Sequence, residues 1–126
     1  MSIPTARDSR GSASFLQSGK EVPFKIKRAY YLYGVPKSKA RGAHAHKSEK
    51  QVIVAISGSF EVLLDNGVQK KRITMNDPKK ALYIAPMVWR EFRRFSKDGI
   101  LLALVDDVKR DSEYIRDYAK FKRATR

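Results

Sequence analysis

Residues 24–33 alternate strictly: Phe24, Ile26, Arg28, Tyr30 and Leu32 share one side, and Lys25, Lys27, Ala29, Tyr31 and Tyr33 share the other. A period of two marks a strand, whereas a helix would scatter both sets. Residues 51–57 form a nearly unbroken apolar, β-branched run, which predicts a strand buried on both faces. Gly58 allows a turn, after which Phe60, Val62 and Leu64 alternate with Glu61 and Asp65. Asp65-Asn66-Gly67 predicts a type I′ hairpin, because Asn and Gly tolerate the positive φ such a turn requires. The returning segment, residues 68–75, presents Lys70, Lys71 and Arg72, the charged profile of an edge strand.

The remaining segments are shorter. Residues 1–7 lack a period and contain Pro4, so they read as a loose arm or as a strand in need of a partner. A turn at Asp8-Ser9-Arg10-Gly11 leads to a short strand over residues 12–17. Residues 34–42 form a loop bounded by glycines. Residues 81–85, then 88–95 after a bend at Pro86, then 100–105 complete the strands. About eight short strands, with turn signals about every eight to twelve residues, predict an all-β sandwich or barrel. Helix is expected only at the end, where Ser112 is a candidate cap and Tyr114, Ile115, Tyr118 and Phe121 recur as a packing stripe.

A chain of 126 residues with 42% hydrophobic content is expected to fold as one domain over residues 1–126. The absence of cysteine excludes disulfides, thiolate metal sites and a cysteine nucleophile. The longest apolar run, residues 100–105, is far short of the roughly 20 residues that span a bilayer. No basic segment leads into an apolar run at the N-terminus, so the cytoplasm is the expected compartment. Net charge is +14, with twenty basic and ten acidic residues over positions 1–107 and seven and three after them. Such dispersed charge suits steering of a small anionic substrate such as a sugar nucleotide. Nucleic-acid binding would call for a recognised motif or an aromatic platform between basic residues, and neither is present.

Chemistry concentrates in Arg41-Gly42-Ala43-His44-Ala45-His46-Lys47, which holds both histidines. In an extended chain the two imidazoles face one side, and near pH 6.5 they exchange protons. His-x-His on a β-strand resembles the first metal motif of the cupins, with Glu49 or Gln51 as third ligand. A further histidine is lacking, and Arg90 in the second-motif region would oppose a dication, so neither metal nor cofactor is expected. Without metal, an imidazole can remove a proton beside a ketone, provided Arg or Tyr donors stabilise the enolate oxygen.

Five ordered motifs then resemble the sugar 3,4-ketoisomerases of the cupin superfamily. They are Asp8 to Ser12, Val22 to Tyr31, Arg41 to Lys47 with Gln51, Leu82 to Trp89, and Tyr114 to Tyr118. The resemblance implies a metal-independent cupin-type jelly-roll barrel with a short C-terminal helix, forming a homodimer with an exchanged N-terminal strand. It implies a dTDP-linked keto-sugar substrate, dTDP-4-keto-6-deoxy-D-glucose, whose keto group moves from C4 to C3. The product would feed 3-amino-3,6-dideoxy sugars of surface glycans such as lipopolysaccharide and S-layer glycans. His44 would be the acid/base, with His46 and Tyr30 orienting substrate or relaying protons between oxygens. Arg28 and Arg41 would contact pyrophosphate or sugar, and Gln51, Arg10 and Arg90 complete the implied substrate contacts. Arg10 and Arg90 stand where family members vary with C4 configuration, one matching the galacto pattern and the other the gluco pattern. The alternatives are a non-catalytic sugar-nucleotide-binding module and an epimerase.

Overall fold

The computed structural model describes residues 1–125. A hairpin of β1 (Thr5–Asp8) and β2 (Gly11–Ser14) comes first, and these two strands pair only with each other. A four-stranded sheet follows in the order β3 (Arg28–Leu32), β10 (Ile100–Val105), β5 (Gln51–Ser57) and β8 (Ala81–Ile84). The second sheet runs β11 (Tyr114–Ile115), β4 (Ala40–His46), β9 (Trp89–Arg93), β6 (Phe60–Asp65) and β7 (Lys70–Met75). All pairings between these strands are antiparallel. Strand order departs from chain order in both sheets, as expected of a cupin-like jelly roll. The chain ends in the short helix α1 (Tyr118–Ala124). Among the described residues, no helix is long and apolar enough to cross a membrane.

The predicted alternations hold where the sheets close on each other. Ile53 and Ala55 of β5, Phe60 and Val62 of β6, Phe92 of β9 and Leu101 and Ala103 of β10 form the central cluster. Replacing one such buried phenylalanine with alanine costs about 3–5 kcal/mol. β5 is buried at its first five residues and lies between β10 and β8, which explains its continuous apolar run. β7 is the outer strand of its sheet, with Lys70, Lys71 and Arg72 exposed.

Four expectations are corrected. The strand expected over residues 12–17 is Gly11–Ser14, and together with Thr5–Asp8 it takes Gly11 and Asp8 from the expected turn, while the strand reading of the arm holds. The strand expected from residue 24 starts at Arg28. Phe24 and Ile26 stay alternately buried, but their amides bond to the Val22 carbonyl and to Ser18 Oγ instead of a ladder. The hairpin after β6 is not type I′: Asn66 does not have positive φ, although Gly67 does, at 93°. Asn66 Oδ1 instead accepts from the amides of Val68 and Gln69, closing a longer loop. Finally, Asp117, not Ser112, caps the helix. Tyr114 and Ile115 are drawn into the sheet by pairing with His46 and Ala45.

Candidate active site

β4 positions the histidines, and a glycine bulge aims them. Ala40 pairs with Arg93 and Arg41 with Phe92, then the register slips before His44 meets Arg90. Gly42 absorbs the slip at φ 68°, a conformation that costs any residue with a Cβ. A Cβ there would lie 2.9 Å from two carbons of the Phe92 ring, so the backbone also needs the missing side chain for space. Beyond the bulge, His44 and His46 turn to the same interior face, with Nε2 atoms 3.1 Å apart.

They open into a cavity of about 320 Å³, shared with Arg28, Tyr30, Arg41, Gln51, Phe92, Lys109, Tyr114 and Arg116. Six of the eight residues expected from sequence are therefore assembled there: Arg28, Tyr30, Arg41, His44, His46 and Gln51. Arg90 is fully buried, and its Nε and Nη2 have no hydrogen-bond partner among the described residues. It is His44's cross-strand neighbour on β9 and does not line the cavity. Arg10 stands apart in the β1–β2 hairpin, exposed and ion-paired to Asp8 at 2.7 Å. A second hollow of about 460 Å³, lined by Tyr31, Tyr33, Val35 and Pro36 among others, adjoins the cavity at Leu32 and Arg41.

A polar network fixes the imidazoles. The Tyr30 hydroxyl donates to Gln51 Oε1 at 3.1 Å, leaving the Gln51 amide nitrogen to donate to His46 Nε2 at 3.2 Å. That assignment makes His46 Nε2 an acceptor and puts the ring proton on Nδ1. Nδ1 is in contact with Glu49 Oε2 without aligned hydrogen-bond geometry, and no other partner among the described residues reaches it. Arg28 donates to both oxygens of Glu49, at 3.2 and 3.5 Å, and to the Tyr114 hydroxyl at 3.4 Å. The Tyr114 ring stacks on His44, with centroids 4.8 Å apart.

Burial and the nearby cations hold both imidazoles neutral. Burial first, then the charges of Arg90 and Arg116, push His44 from 6.5 to about 3. His46 is lowered by burial, then Arg90, then His44. Burial raises the Tyr30 phenol, so it remains a donor at neutral pH. Burial lowers Arg90 to about 10, leaving it charged.

Sequence reasoning placed Tyr114 in a helical packing stripe and read Glu49 only as a third metal ligand. The spacing His46 to Glu49 was visible, but the turn of residues 47–50 that carries the carboxylate back under the ring was not. Among the described residues, His46, Glu49 and Glu113 bring one donor atom each within 4.8 Å of one another. They do not fit a cation. Glu49 is committed to Arg28 and His46, and Glu113 accepts from the Ser48 hydroxyl at 2.9 Å and the Glu49 amide at 2.7 Å. A dication would also sit against the positive charges of Arg28 and Arg90.

The family model described as "FdtA: WxcM-like, C-terminal" matches residues 1–126. A TDP-4-oxo-6-deoxy-alpha-D-glucose-3,4-oxoisomerase of Aneurinibacillus thermoaerophilus is 41% identical over 116 residues, 92% of this chain and 84% of its own. The crystal structure of a 3,4-ketoisomerase from Helicobacter canadensis superposes with a TM-score of 0.96 at 43% identity, covering 98% of this chain and 93% of that one. A histidine-to-asparagine mutant of the 3,4-ketoisomerase QdtA from Thermoanaerobacterium thermosaccharolyticum, in complex with TDP-4-keto-6-deoxyglucose, gives a TM-score of 0.96 at 33% identity, over 98% and 90% of the two chains. With its jelly roll and its paired histidines, the chain belongs to the FdtA family of WxcM-like domains, the family of these sugar-nucleotide 3,4-ketoisomerases.

Proposed function

We propose that the chain moves the keto group of TDP-4-keto-6-deoxyglucose from C4 to C3. The observation that carries this reading is the pair of neutral imidazoles, 3.1 Å apart, beside a protonated phenol in a cavity ringed by Arg28, Arg41, Lys109 and Arg116. His44 takes the proton from C3, and the electrons of that bond form the C3–C4 double bond of an enediolate with charge on O4. The O3 proton passes to O4, with Tyr30 as the relay. Protonated His44 then returns its proton to C4, and the C3 carbonyl forms. Atoms balance, and no electron leaves the sugar. A neutral base suits the first step, and cations suit the enediolate and the pyrophosphate.

Arg41 offers the bidentate geometry that phosphate oxygens favour, and Arg28, its fork engaged by Glu49, adds positive charge beside the sugar. The adjoining hollow at Tyr31 and Tyr33 gives the nucleotide room beyond the sugar. The working unit is a homodimer in the cytoplasm, with the N-terminal hairpin exchanged. Support comes from β1 and β2, which pair only with each other and bury almost none of their surface. Exchange would also bring Arg10 toward the partner's substrate.

The test is proton NMR of TDP-4-keto-6-deoxyglucose with the purified protein. A 3-keto product is the expected result, and its couplings read the C4 configuration. Binding without turnover would assign a non-catalytic module, and an inverted centre with the ketone still at C4 would assign an epimerase.

A further inference from the structure

Glu49 is among the most deeply buried polar residues of the chain, 1% exposed, and faces His46 on the side away from His44. Two arms converge on the same imidazole. From Nε2, Gln51 donates, itself held by Tyr30. From Nδ1, the Glu49 carboxylate is in contact, held in turn by Arg28. The Glu113 carboxylate, receiving the amide and hydroxyl of Ser48 and the amide of Glu49, pins the turn that brings Glu49 there.

We infer that Glu49 is a positioning residue for the base: it keeps the His46 proton on Nδ1, and thereby keeps His46 Nε2 an acceptor facing His44. The inference rests on the ketoisomerase reading for its kinetic part only. An acceptor at 3.1 Å from His44 Nε2 anchors the ring and receives the N–H of its imidazolium while His44 carries the substrate proton. The opposite tautomer would point an N–H at His44, repel that imidazolium and set a second donor against the Gln51 amide. Glu49 touches neither the cavity nor a reacting atom, so its effect passes through His46.

The chain has two histidines, so nitrogen NMR of the imidazoles is simple to read, and His44→Asn leaves His46 alone. The wild type should carry the His46 proton on Nδ1 without any substrate present. Glu49→Ala should give mixed or inverted tautomers. It should also lower kcat about a hundredfold, the low end of what loss of an acid/base costs, with KM little changed. Glu49→Gln retains an acceptor oxygen and should restore tautomer and rate part of the way.

In a His46→Gln background, Glu49→Ala should lower kcat no further, because the residue it acts through is gone. An Nε2-protonated His46 in the wild type, an unchanged tautomer in Glu49→Ala, a loss confined to KM, or an equal loss in both backgrounds would overturn the inference. Should Glu49→Ala fail to fold, the wild-type tautomer and the Glu49→Gln variant decide it. A wild type inactive toward the keto-sugar but showing Nδ1 protonation would sink the ketoisomerase reading and leave the tautomer assignment standing.

Discussion

At the scale of single residues, the chemistry depends on an imidazole that stays unprotonated beside cations. The folded His44 pKa, about 3, lies below its ordinary 6.5. The unfolded chain therefore binds the extra proton in that window, and the neutral ring's contribution to stability is present above it and lost as pH falls through it. For catalysis, kcat/KM should stay flat through the ordinary histidine range, near 6.5. Arg90→Met removes the leading charge that lowers His44 while burial and Arg116 remain, so an acid limb should move upward toward that range. A pH–rate profile checks this, and an unmoved limb would mean that Arg90 does not set the base. The shared face of His44 and His46 was legible in the sequence because alternation along a strand needs no tertiary information. That Glu49 pairs with Arg28 was not legible, because it depends on a turn, residues 47–50, that carries no periodic signal.

At the scale of elements, the β4 bulge decides where the imidazoles point. Gly42→Ala places a Cβ against Phe92 at 2.9 Å and forces a left-handed conformation, φ 68°, at a cost of about 1–2 kcal/mol. Activity should fall more than stability does, because relief of the clash re-aims His44; thermal melting and kcat measured together check this. Equal activity at reduced stability would show that the bulge is only structural. Strand positions were legible from periodicity, yet the alternation of residues 24–27 belongs to chain packed over the outer face of the sheet. There Phe24 and Ile26 join Val52, Val54 and Leu104, burying their side chains without a ladder. The helix start was misplaced because Tyr114 and Ile115 meet the helical stripe by spacing, while pairing with β4 claims them for the sheet.

At the scale of the whole molecule, the sheet order β3-β10-β5-β8 facing β11-β4-β9-β6-β7 was not legible. Alternation says that a face is buried and not which strand lies beside it. The family's motifs supplied the jelly roll instead. The β1–β2 hairpin, exposed along nearly all its length, is the element that a second copy should complete. Deleting residues 1–14 should convert a dimer to a monomer in light scattering. If Arg10 reaches the partner's substrate, the deletion also raises KM. A monomeric full-length protein would contradict exchange.

The central claim is that His44 carries one hydrogen between adjacent carbons of the sugar, and hydrogen exchange in D₂O tests it most directly. The wild type should convert TDP-4-keto-6-deoxyglucose to a 3-keto product that retains hydrogen from C3 at C4, with deuterium entering only as far as the His44 imidazolium exchanges with solvent, while His44→Asn should bind the same substrate with turnover and exchange reduced by about 10²–10⁴. Near wild-type conversion and exchange by His44→Asn would contradict the account.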